Sequence, residues 1–598
     1  MSFRPLGYRF CSIVSAVVTA TALVAVITLN ACVSNGAGSA PSAASAPPPP
    51  PPPAGTLQTG HHGIVVTANP YASQAGLRVL QSGGSAADAA VAVQAVLGLV
   101  EPQSSGLGGG AFISYYDAHS RQVMVYNGRE TAPAGASDRM FLDDSGKPMS
   151  FVTAVLSGRS TGVPGAIAAL EMAQHEHGKL PWRTLFADGE RLANDGFIVS
   201  PRLQRLIDSS RIPQNSAPDV QHYFTRPNGS HYVAGDTLRN PAYATSLQRI
   251  AEQGANGLLR GPTAQDIVDR VHQGELAGTL SLEDLANYRP LKSEALCHDW
   301  ERYKVCVPPP PAGGVALLQS LLLVAQTDIA TRNANDPVAW VELGEAQRLM
   351  YADRSRYVAD PTFTAVPTAG LLDPTYLHQR ASLIGQRISP QVPEPGHPPG
   401  APVTGIDHSP EPHGTSNIVI VDAQGNVLCM TTTVESVFGS GRMVDGFFLN
   451  NQLTDFSFSP VEASGRAAAN AVAPGKRPRS AMTPTIVMDS HDHFAGAAGS
   501  AGGPAIIAYV QKTLVATFDW HLSIQDAINL PNVVAHGADF SGEAGRFTPD
   551  LLQQLNALGI DIHAGQYEES GLTGVTIDAD GTLHGGVDLR REGVALAY

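Results

Sequence analysis

Two apolar, β-branched runs face each other across a short turn late in the chain. Asn417 to Val421 (NIVIV) leads to Gln424-Gly425-Asn426, and Val427 to Thr433 (VLCMTTT) returns. Such runs either side of a Gly-Asn turn specify a β-hairpin. Polar groups crowd around these core-like strands. Thr415 stands where the first strand begins, and Thr431-Thr432-Thr433 ends the strand that pairs back toward it. Glu435, Asn450, Asn451, Gln452 and Asp455 follow. Any fold must keep this hairpin inside while giving its hydroxyls and carboxylates partners.

The 598 residues suffice for several domains or one very large one. Hydrophobic content of 43% with 15% charged residues is globular, and 60 glycines with 45 prolines predict many turns. A net charge of -15 argues against nucleic acid and against a basic membrane-binding face. Residues 1–31 read as a targeting signal: Arg4 and Arg9 precede the apolar stretch Ser12 to Leu29. Leu29-Asn30-Ala31-Cys32 resembles a lipobox, with Cys32 as the lipidated residue. Ordinary signal cleavage and an uncleaved anchor are the alternatives. Residues 32–55, with the run Pro47 to Pro53, read as a tether. Export implies an oxidising compartment, where Cys297 and Cys306, flanking a segment able to fold back as a hairpin, are expected to pair. Cys429 reads as a buried thiol. His491-Asp492-His493 sits in an expected turn with no obvious third ligand, so no metal site is assigned.

From residue 56 the expected elements are a strand over 63–69, helices over 70–82 and 86–99 (the second capped by Ser85), and strands over 112–116 and 123–127. Arg129 follows; it could fork onto a carboxylate or form a surface ion pair. Gly106 to Ala111 matches a relaxed dinucleotide pattern without its βαβ context, so close backbone packing is the better reading. Gly158-Arg159-Ser160-Thr161-Gly162 formally matches G-x-S-x-G after the apolar run Val152 to Leu156. Pro164 suits a helix start better than a nucleophile elbow. Helical periodicity marks 180–194, 201–209, 243–252, 263–273, 315–326 and 337–351. Residues 386–412 read as a loop, 457–473 as a candidate flexible lid, and 486–489 with 494–498 as a strand pair. Gly499 to Gly503 (GSAGG) precedes an apolar helix over 504–517, either as a cradle for an oxyanion or as a packing turn.

Taken together, these segments resemble the γ-glutamyltranspeptidase family (glutathione hydrolase proenzymes) from about Gly60 to the C-terminus. The matching motifs, in order, are Ser85 to Ala90, Gly106 to Gly110, Arg129-Glu130, Pro308 to Gly314 and Tyr351 to Ser355. They continue with Gly414-Thr415-Ser416, Phe438 to Gly441, Leu449 to Asn451, Lys476 to Pro478 and Gly499 to Gly503. The resemblance implies an α+β fold, the N-terminal-nucleophile αββα four-layer sandwich, with two stacked antiparallel sheets between helical layers. It implies self-cleavage between Gly414 and Thr415, with 56–414 as the body of a large subunit and 415–598 as a small catalytic one. Thr415 becomes the nucleophile, Thr433 orients it, and the Gly502 and Gly503 N–H groups form an oxyanion hole. Arg129 and Ser480 hold a donor's α-carboxylate, while Glu435, Gln452 and Asp455 hold its α-ammonium. No metal or organic cofactor is implied. The implied activity is a γ-glutamyl hydrolase and transferase, periplasmic and membrane-bound only through its lipid. Glutathione or a similar donor and water or an amino-acid or peptide acceptor would be its partners. A related cephalosporin or glutaryl acylase, needing no ammonium clamp, and an inactive surface-binding lipoprotein are the alternatives. The chain departs from the family at Ala481, where many members have a second Ser, at Glu435, where many have Asn, and at Thr454, where an acidic residue is usual.

Overall fold

The computed structural model describes residues 58–407, 409, 414–564 and 570–598. The expected signal, Cys32 and the tether lie outside them. The strands nearest the site are β1 (Ile64–Thr67), β2 (Gly110–Asp117), β3 (Gln122–Gly128), β4 (Ser416–Val421), β5 (Val427–Thr433), β6 (Thr485–Asp489), β7 (Phe494–Gly499) and β8 (Thr573–Ile577). The main helices are α1 (Pro70–Gln81), α2 (Ala86–Val100), α3 (Gly314–Val324), α4 (Pro337–Tyr357) and α5 (Ile506–Phe518).

Two seven-stranded antiparallel sheets form the centre. One runs Val594–Ala597, β1, β4, β5, β2, β3, Leu291–Glu294; the other runs Gln58–Gly60, Leu583–Val587, β8, β7, β6, Tyr303–Val307, Leu296–Trp300. Period-two alternation along the hairpin explains the layering. Ile418, Ile420, Leu428 and Met430 pack with residues of α1 and α2. Val419, Val421, Val427 and Cys429 pack with Ile486, Met488, Ala497 and Val575 of the other sheet. Val487 and Ala498, one residue out of step, join α3, α4 and α5. Helices, sheet, sheet, helices is the αββα sandwich. Strands buried on both faces also explain why β4 reads as a continuous apolar run.

Several elements differ from their sequence expectation. The 180–194 segment is a 3-10 turn (Trp182–Phe186) followed by a helix (Ala187–Asp195). The apolar run before the G-x-S-x-G match is a short helix (Phe151–Val155). Ser160 Oγ donates to the Val155 and Ser157 carbonyls at 2.9 Å, so it is no elbow nucleophile. α4 continues past Tyr351 to Tyr357 because Asp353 is held inside by Gln319 Nε2 at 2.6 Å and Tyr376 OH at 2.7 Å. The expected flexible lid folds back on itself, with Ser457 bridging Ala471 and Val461 bridging Ala467. Phe458 in it stacks on Phe141 with centroids 4.8 Å apart. Cys297 and Cys306 are paired across neighbouring strands, S–S 2.03 Å. Burial pushes the Cys429 thiol up to about 12, which leaves it inert.

The glycines at the start of β2 serve close approach. A Cβ on Gly109 would stand 2.0 Å from the Thr433 carbonyl oxygen, and one on Gly110 would stand 2.3 Å from Glu130 Oε2. The Thr433 carbonyl cannot give way without moving the end of β5. Gly109→Ala is therefore expected to slow cleavage at residue 415 by about a hundredfold, read as uncut chain on a denaturing gel.

Candidate active site

The hairpin register builds the reacting centre. Ser416 pairs with Thr432, so Thr415 stands one step outside the ladder, opposite Thr433. The two hydroxyls lie 3.2 Å apart, and both reach the Gly414 carbonyl oxygen, Thr415 Oγ at 2.6 Å and Thr433 Oγ at 2.5 Å. The Glu435 N–H donates to Thr433 Oγ at 2.8 Å. That leaves the Thr433 proton to point at the Gly414 carbonyl and polarise it. Glu435 adopts a left-handed backbone (φ 83°) where it aims this N–H, a strain stored beside the Gly414–Thr415 bond. Thr415 is 3% exposed, so water reaches it only through the site itself.

The charged residues converge next to the hydroxyls. Arg129, at the end of β3, donates to Asp455 Oδ2 at 2.5 Å and to the Pro478 and Arg479 carbonyls. Gln452 Nε2 donates to Glu435 Oε2 at 2.7 Å and to Asp455 Oδ2 at 2.9 Å. The surface-pair alternative for Arg129 fails, since the side chain is fully buried. Ser480 Oγ accepts from the Met482 N–H. Arg129, Thr415, Thr433, Glu435, Asp455, Ser480, Ala481 and Gly503 line one cavity of about 20 Å³. That is room for about one water, with the Arg129–Asp455 pair closing it. A cavity of about 640 Å³ beside Phe458 and Arg466 shares no lining residue with it.

Burial raises the Glu435 carboxyl well above the usual carboxylate range, and the neighbouring Asp455 pushes it further. Gly502 (φ 126°) and Gly503 (φ 56°) turn the chain through a 3-10 step into α5. A side chain at Gly502 would meet the Tyr509 ring at 2.6 Å. Backbone N–H groups entering a helix suit a developing oxyanion.

Neither Asn450 nor Glu130 carries an expected role in the site, yet both are built into it. Asn450 Nδ2 donates to the Gly108 and Gly162 carbonyls, tying the glycine strip to the clamp loop. Glu130 is fully buried with Arg129 NH1 at 3.8 Å. Burial outweighs the pull of Arg129 and lifts its carboxyl to about 8. An unfolded chain loses that proton near 4.5 while the native one keeps it to about 8, so stability falls as pH rises through this window. Glu130→Gln is expected to flatten the decline in melting temperature between pH 5 and 8, followed by calorimetry.

The family model for gamma-glutamyltranspeptidase matches residues 72–598. The chain is 33% identical over 553 residues to a glutathione hydrolase proenzyme of Bacillus subtilis (strain 168), covering 90% of this chain and 92% of the relative. Its fold is similar to a cephalosporin acylase from Bacillus halodurans, with TM-score 0.77 and 26% identity over 93% of this chain and 99% of that one. It is also similar to a gamma-glutamyltranspeptidase from Helicobacter pylori, with TM-score 0.52 and 28% identity over 55% of this chain and 94% of that one. With the hydroxyl pair, the charged cavity and the αββα layers in place, the chain belongs to the γ-glutamyltranspeptidase family.

Proposed function

We propose that this protein cuts itself before Thr415 and then hydrolyses or transfers γ-glutamyl groups, with glutathione as a donor. The observation that carries this reading is the convergence of two threonine hydroxyls on the Gly414 carbonyl beside a cavity bearing both signs of charge. Relatives named glutathione hydrolase proenzyme support both the processing and the donor.

In the self-cut, Thr415 Oγ adds to the Gly414 carbonyl carbon, the C–N bond breaks, and the hydroxyl proton ends on the freed nitrogen. Water then hydrolyses the ester, leaving a Gly414 carboxylate and a Thr415 with a free amine. That amine is the base an alcohol far below its pKa needs. In turnover Arg129 and Ser480 take the donor's α-carboxylate, and Glu435, Gln452 and Asp455 its ammonium. The γ-carbonyl then meets Thr415 Oγ. The oxyanion is held by the Gly502 and Gly503 N–H groups, the Thr415 amine passes its proton to the leaving amine, and a γ-glutamyl ester remains. Water or an amino-acid or peptide amine resolves it.

The likeness to a cephalosporin acylase favours a second reading, hydrolysis of a glutaryl amide, which lacks the ammonium. Glu435 and Asp455 count against it, because two carboxylates have no role toward a glutaryl chain. We also propose export and lipid attachment at Cys32, supported by Arg4, Arg9 and the apolar stretch before it.

γ-Glutamyl anilide is expected to turn over and glutaryl anilide not, with Thr415→Ala inactive and uncut; the reverse preference would favour the acylase. Donor KM is expected to fall as pH rises and Glu435, held above the usual carboxylate range by burial, ionises toward the ammonium, and Glu435→Gln to raise KM and remove that dependence. Cys32→Ser is expected to move the protein from membrane to soluble fraction.

A further inference from the structure

Thr415 is covalently held on both sides only until the cut. Afterwards it is a chain end, and it lies outside the β4–β5 ladder, whose first pair is Ser416 with Thr432. Chain ends fray unless something ties them down. The clamp residues grip substrate, and Thr433 bonds the Thr415 side chain. A separate contact reaches the backbone: Arg591 NH1 donates to the Thr415 carbonyl oxygen at 2.6 Å.

Arg591 is presented by a turn that is fixed from several directions. Its own N–H donates to the Asp588 carbonyl at 3.1 Å. Asp588 Oδ2 accepts from Ser570 Oγ and from the Leu572 N–H, and Asp588 Oδ1 accepts from the Arg590 N–H and guanidinium. Arg590 is anchored in turn on Glu543. Gly571 lies so close that a Cβ there would stand 2.7 Å from Arg591 Nε. The Gly571 N–H reaches Ser500 Oγ at 3.4 Å, two residues before Gly502. The turn thus touches the nucleophile's backbone directly, and it packs against Gly571, whose N–H reaches the approach to the oxyanion glycines. Arg591 does not line the substrate cavity.

We propose that Arg591 is a positioning residue for the nucleophile, its guanidinium pinning the Thr415 carbonyl so that the hydroxyl stays aimed during the self-cut and, after it, during turnover. The inference rests on Thr415 being the nucleophile. A charged donor to a buried carbonyl is among the stronger hydrogen bonds, and it replaces the restraint that cleavage removes.

The test uses full-length Arg591→Gln and Arg591→Lys beside the native protein. Self-cleavage is timed on denaturing gels, kcat and KM for a γ-glutamyl anilide are measured on the cut fraction, and melting profiles are recorded. The Gln variant is expected to cut itself and turn over at least about tenfold more slowly, with KM changed by less than about twofold. The Lys variant, which keeps a cationic donor, is expected to recover most of the rate. Native rates in the Gln variant, a loss confined to KM, a Lys variant no better than Gln, or loss of cooperative melting in both would overturn the proposal. If the native protein itself neither cut nor turned over donor, the functional reading would fail instead.

Discussion

The register of β4 against β5 is the constraint on which the site depends. Pairing Ser416 with Thr432 sets Thr415 opposite Thr433 and brings both hydroxyls onto one carbonyl. A slip of one residue would turn every side chain of the hairpin to the opposite face. It would bury Ile418 and Ile420 against the other sheet and take the hydroxyl off its partner. Double-sided burial of the hairpin penalises that slip, so the core and the chemistry are specified by the same residues.

The same arrangement explains how a chain cut before Thr415, as proposed, would stay together. β4 and β5 lie between β1 and β2, which come from the other side of the scissile bond. Val594–Ala597 flanks β1 at the sheet edge. Strands from the two fragments are therefore interleaved in one hydrogen-bonded sheet, and cleavage removes a single covalent bond from it. The proposed clamp would be divided likewise. Arg129 precedes the cut, whereas Glu435, Gln452 and Asp455 follow it. Across that division Arg129 and Asp455 pair directly.

Much of this was legible in the sequence for identifiable reasons. The hairpin, α1, α2 with its Ser85 cap and the strand pair β6–β7 are each set by local pattern, and local pattern survives in a large fold. The Thr415–Thr433 relation was legible because both residues lie on one hairpin. Arg129 was ambiguous from its neighbours alone; only the family resemblance placed it in a pocket, and the burial of its side chain agrees. Helix ends were less legible. α4 runs past its expected end because Gln319 and Tyr376, distant in sequence, satisfy Asp353. The segment over 457–473 is legible only as small and polar, which gives no hint that Phe458 stacks on Phe141. Arg591 has no local signal, because its partner is 176 residues away.

The central claim is that Thr415 is both the point of cleavage and the nucleophile. Intact-mass analysis of the purified protein, before and after reaction with an electrophilic γ-glutamyl analogue, tests it most directly. The expected result is two fragments, the smaller beginning at Thr415 with a mass of about 19 kDa by its share of the 62.6 kDa chain. The analogue should then add one equivalent to the peptide carrying Thr415. An uncut chain, a smaller fragment beginning at any other residue, or a label on another side chain would contradict it.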